Sequence, residues 1–93
     1  MPDLETRTAA DFAPLRHQPF RLTADHAPRL ELELVEIAGA GGRPFSVLFR
    51  GPAEPLLTQR IYRLEHPALG PLDLFLVPVG REPDGLRYEA VFT

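Results

Sequence analysis

The chain has 93 residues, of which 44% are hydrophobic and 25% charged, with a formal net charge of −3. A single domain of this size buries roughly 60–65% of the surface its unfolded chain exposes, which leaves little stability for strained sites or large cavities. Cysteine is absent, which excludes disulfides, thiolate nucleophiles and cysteine-based zinc sites.

In chain order, residues 1–10 read as a flexible stretch, 11–17 as a short helical segment and 19–93 as strands of one domain. Thr8 and Asp11 have the spacing of a capping box, with Asp in place of the usual Glu or Gln. Pro14 stops a full helix and biases Ala13 away from it, so one or two turns are expected, with Phe12 and Leu15 facing the core. A first strand starts near Phe20 in "FRLTA". The second, "RLELELVEI", alternates with Leu30, Leu32 and Leu34 inward and Glu31 and Glu33 outward. Its apolar parity then slips by one residue, which predicts a β-bulge near Leu34 and Val35.

After the loop "AGAGG" come "RPFSVLFRG", "QRIYRLE", "PLDLFLVPV" and "LRYEAVFT", the last two joined by the turn signal "EPDG". About six short strands joined by Gly/Pro turns, without long helical patterns, predict an all-β fold. The expected architecture is a small antiparallel barrel or rolled sheet with a short N-terminal helical segment, since closure removes unpaired edges.

Candidate chemistry is sparse. In "LEHPALGPL", His66 precedes Pro67 and is biased to extended backbone, Pro67 is preset for a turn, and Gly70 supplies a left-handed residue. His66, Pro67 and Gly70 therefore read as a structural turn signature. The competing reading makes His66 a general base oriented by Glu65, yet neighbouring residues in extended chain point to opposite sides.

The sole serine, Ser46, lies mid-strand without a nucleophile elbow. His17, His26 and His66 lack metal-ligand spacing, and the carboxylates form no ligand loop. The glycines of "AGAGG" lead into a strand rather than the helix N-terminus a phosphate loop needs. No catalytic residues, cofactor or metal are assigned. All ten basic residues are Arg and alternate with acids instead of forming a basic stripe, which argues against nucleic-acid partners. No apolar run approaches a membrane span and no signal h-region is present, so a cytoplasmic protein without a membrane partner is expected.

One pattern departs from a plain one-sided sheet. The fifth strand is apolar on both faces, with Leu72, Leu74 and Leu76 opposed by Phe75, Val77 and Val79. The third sets Leu48, and the sixth Val91, against their inward residues. Two explanations stand: the segment carrying Phe12 and Leu15, or a neighbouring loop, covers this second face, or the face contacts another protein or a second copy of the chain. Leu48, Phe75, Val77 and Val91 are the candidate interaction residues.

The runs "PFSVLFRGP", "YRLEHPALGPLDLFLVPVG" and "RYEAVF" resemble an uncharacterised family of small bacterial proteins, a domain of unknown function, from about Asp11 to Phe92. Members of that family look like genomic neighbours of phage-tail-collar-like proteins. The resemblance thus implies an assembly or accessory role rather than chemistry. The leading expectation is a non-enzymatic interaction or assembly module. The alternatives are a small-ligand-binding barrel and a hydrolase using His66.

Overall fold

The computed structural model describes residues 8–23, 29–39 and 44–92. Six strands, β1 (Pro19–Leu22), β2 (Leu30–Ala38), β3 (Phe45–Gly51), β4 (Arg60–His66), β5 (Gly70–Glu82) and β6 (Gly85–Phe92), follow the helix α1 (Ala9–Phe12) and a 3₁₀ turn (Ala13–Leu15). They close into an antiparallel barrel in the order β1-β2-β3-β6-β5-β4, with β4 returning to β1 through Arg21↔Glu65 and Leu22↔Leu64. The all-β barrel expected from the alternating pattern is the observed fold. The expected flexibility of residues 1–7 lies outside the described residues, as do Ala24 of the first strand, residues 40–43 of the glycine loop and Thr93 of the last strand.

Period-two alternation fills the interior. Phe20, Leu22, Leu32, Leu34, Val47, Phe49, Leu64 and Leu76 are all fully buried. The parity slip in β2 is a bulge: Leu34 pairs with Phe49 and Glu36 with Leu48, so Val35 is the extra residue. A second register shift between Pro78 and Gly80 leaves Val79 as the extra residue of β5.

The two ends of the barrel are stoppered differently. At one, α1 starts at Ala9, two residues ahead of the expected start, with the Thr8 N–H donating to Asp11 Oδ2 at 2.8 Å. Phe12 enters the barrel mouth against Phe45 and Phe92, at ring-centroid distances of 6.1 and 5.3 Å, and those two rings stack at 4.6 Å. Leu15 is buried in the same core, so the segment plugs the interior and does not lie over the second face of β5.

At the other end the β3–β4 connection folds Leu57 inward. Its N–H donates to Tyr88 Oη at 3.0 Å, and the Tyr62 hydroxyl donates to the Thr58 carbonyl at 2.6 Å. The β5–β6 turn needs Gly85 there: its φ is +134°, and a Cβ would collide with the Gly51 carbonyl.

Candidate functional site

His66 ends β4 at the mouth plugged by Phe12, and its ring is buried against Phe20 at a centroid distance of 4.8 Å. Its Nδ1 accepts the Ala68 N–H at 3.0 Å, so the proton sits on Nε2, which donates to Gln18 Oε1 at 2.8 Å. Gln18 Nε2 donates in turn to the Pro14 carbonyl at 3.4 Å. Pro67 follows at the second position of a turn closed by the Leu69 N–H on the His66 carbonyl, and Gly70 takes φ +73° to start β5. This chain of bonds staples the β4–β5 corner to the N-terminal segment. With both ring nitrogens engaged, the imidazole offers no lone pair to a substrate.

The other chemistry-bearing residues stand apart from His66. Ser46 lies on the outside of β3, opposite Val91. Glu65 points out beside Arg21 and accepts the Thr23 hydroxyl at 3.4 Å. His17, at φ +70°, is exposed and meets Glu33 Oε2 at 3.3 Å. His26 lies outside the described residues. Among the described residues no group of three or more His, Cys, Asp or Glu is placed to hold a metal ion. No helix among them is long and apolar enough to cross a membrane.

The outside of β1, β2 and the adjoining edge of β3 is charged. Arg21 stands between Glu31 and Glu65 in the ladders, and Arg50 pairs with Glu33 across β2 and β3. The Arg50 guanidinium and His17 hold the Glu33 carboxyl below the usual glutamate range, and the same carboxylate holds Arg50 above its own. Arg50 also donates to the Asp84 carbonyl at 3.1 Å, while Arg87 pairs with the Asp84 carboxylate at 2.9 Å. Two shallow grooves of 510 and 370 Å³ lie on this side, sharing Pro19 and Glu31. Glu33 of the second groove is paired with Arg50 and His17, the first sets Arg21 beside Glu31 and Glu65, and neither groove converges on a buried unpaired donor among the described residues.

The outside of β4, β5 and β6 is different. Ile61 pairs with Phe75 across β4 and β5, and continuing the β5–β6 register places Val91 beyond Phe75. Of the five large hydrophobics that stand out in solvent among the described residues, Ile61, Phe75, Val79 and Val91 lie on these three strands, and only Leu56 lies elsewhere. One register step along, Val77 and Leu48 flank Glu89 from β5 and β3, and both are half-buried. Leu48, Phe75, Val77 and Val91, singled out from the sequence, therefore share one continuous outer face.

Ile61 belongs to that face and escaped the sequence reading. Its signal was the parity of "RIYRLE", which sets Ile61 on the side opposite Tyr62 and Leu64. An Arg63–Asp73 ion pair, with both side chains about half exposed at 54% and 55%, bounds the face on the side of the His66 corner.

The chain belongs to the family described as a domain of unknown function, DUF6916. Its model matches residues 7–92, which takes in the helical segment and all six strands. No curated protein and no solved structure matches the chain. Membership in DUF6916 thus assigns a domain and no chemistry, and function has to be argued from the surface itself.

Proposed function

We propose that this domain is a non-enzymatic protein-interaction or assembly module that docks through the outer face of β4, β5 and β6. The observation that carries the reading is the row Ile61, Phe75 and Val91, three large apolar side chains aligned across neighbouring strands and each about half exposed at 58%, 49% and 57%. A barrel needs its inward residues apolar, but its outward ones are under no such demand. Contiguous outward apolar residues on a small domain mark contact surfaces.

The alternatives have less support. A ligand-binding barrel needs a cavity, and this interior is occupied by its own Phe, Tyr and Leu side chains. A hydrolase needs a base with a free lone pair, and both His66 nitrogens are committed. The genomic company implied by the family resemblance supports a role as an accessory of a phage-tail-like assembly in a bacterial cytoplasm.

The reading is tested with a photo-crosslinking amino acid placed at position 75, in parallel with one at position 21 on the charged side, in cells of the native host. A discrete adduct from position 75 and none from position 21 is the expected result. No adduct at 75, or equal labelling at both, would overturn it. A tail component in the adduct would tie the module to such an assembly.

A further inference from the structure

Taken as a docking surface, the same face carries a charge arrangement that narrows its partner, and the identity of that partner rests on the interaction reading. Arg63 sits on β4 one register step from Ile61, toward the His66 corner. Glu89 sits on β6 one step from Val91, in the opposite direction. The two charges occupy diagonal corners of a patch with Phe75 at its centre. Glu89 is half-buried between Val77 and Leu48 and makes no ion pair or hydrogen bond among the described residues. A carboxylate so placed gains from a cation brought in by a partner.

We propose that this face is a two-fold interface between two copies of the chain, with Phe75 on the axis and Arg63 of each copy meeting Glu89 of the other. A two-fold axis lying in the interface through Phe75, perpendicular to the Arg63–Glu89 diagonal, brings each Arg63 over Glu89 of the second copy. The same operation packs Phe75 on its equivalent and Ile61 near Val77 of the second copy. Arg63 keeps Asp73 in this arrangement, because a guanidinium has five N–H donors and can serve two carboxylates. Closed two-fold symmetry is the commonest form of self-association, and the Arg63 and Glu89 corners are complementary under it in the way such an interface requires.

Size sets the strength. Three strands by three register rows measure about 14 by 20 Å. A standard stable interface buries about 800 Å² per partner, more than this patch supplies. The dimer is therefore weak, with visible dependence on concentration.

Sedimentation equilibrium of the full chain over a concentration series decides the matter. Wild type shifts from monomer to dimer as concentration rises, and folded Phe75→Arg stays monomeric throughout. Arg63→Glu and Glu89→Arg each weaken association by about tenfold or more, because each homodimer sets two like-charged pairs face to face. An equimolar mixture of those two variants recovers dimerisation, since both contacts in the mixed dimer are again of opposite sign. This mixing experiment stands even where Phe75→Arg fails to fold.

A wild type that stays monomeric throughout the series overturns the proposal, as does a dimer indifferent to the two charge variants and their mixture. The interaction reading fails separately. A monomeric wild type that still crosslinks through position 75 to a different protein sinks the two-fold interface and leaves the module standing.

Discussion

The outside of this barrel is built in two ways on one scaffold. Around β1 and β2 the outward positions include Arg21, Glu31, Glu33 and Glu36, with Glu33 held by Arg50 of β3. Around β4, β5 and β6 they include Ile61, Phe75, Val77 and Val91. The inward positions of both halves are the same kind of close-packed Leu, Phe and Tyr. Folding thus asks nothing of the outer apolar row that the charged half does not do without. On the proposed reading, that difference serves contact rather than stability.

The sharpest form of that comparison lies within one strand. Leu76 is fully buried inside the barrel, and its neighbour Phe75 is 49% exposed outside it. Leu76→Ala removes packed methyl groups from a core that cannot fully collapse, and a loss of about 2–5 kcal/mol is expected in urea denaturation. A loss below about 1 kcal/mol at Leu76 would mean the interior is loose, and the contrast between the faces would dissolve.

Next in size is the corner. His66→Ala hands the Ala68 N–H and Gln18 Oε1, both on exposed residues, over to water and opens space beside the buried Phe20, at an expected cost of about 1–3 kcal/mol. His66→Asn should recover part of that stability, because an Asn side chain accepts from the backbone N–H two residues on, as His66 Nδ1 does here. Thermal melts of the two variants check this. Equal melting temperatures for Ala and Asn would show that the imidazole contributes packing alone.

Much of this arrangement was legible from local pattern, and the remainder depends on long-range pairing. The alternation of "LELEL" and its slip at Val35 were readable, because side-chain period and bulges are local properties of one strand. So were the turns at Pro67 and at Pro83–Asp84, where residue type restricts the backbone. The adjacency of β3 and β6 was not, because neighbours in a barrel are chosen by packing among residues distant in sequence. For the same reason Glu33 and Arg50 could not be paired without the register. The destination of Phe12 was half legible. An apolar residue in a short amphipathic segment must be buried, but whether it covers a sheet or plugs a barrel mouth depends on the cavity the strands leave. Ile61 was within reach of the parity rule, yet its importance emerges only when Phe75 and Val91 line up beside it.

On the charged half the expected effects are smaller. Glu33 has a carboxyl held below its ordinary range in the folded state, chiefly by Arg50. A group whose folded pKa is depressed adds stability above its unfolded pKa, and loses it as pH falls through the folded value. Glu33→Gln should therefore lower the melting temperature at neutral pH, and the gap to wild type should close in acid. Both side chains are about one-third exposed, 35% for Arg50 and 28% for Glu33, so solvent screening keeps the neutral-pH effect below about 1 kcal/mol. A gap that persists unchanged into acid would assign the loss to packing rather than charge.

The smallest expected effect is the most informative. Phe75→Ser removes a half-exposed ring flanked on its own face by Ile61 and Val91, both themselves exposed. A cross-strand pair of this sort is worth little, so urea denaturation at a concentration low enough to keep the chain monomeric should move by about 0.5 kcal/mol or less. Repeated at high concentration, the same comparison should open up, because association stabilises only the wild type by mass action. Two residues adjacent in sequence would then differ in kind: Leu76 stabilises the fold at every concentration, whereas Phe75 adds stability only when a partner is present. A Phe75→Ser penalty that is large and independent of concentration would instead place the ring among the residues that hold the barrel together.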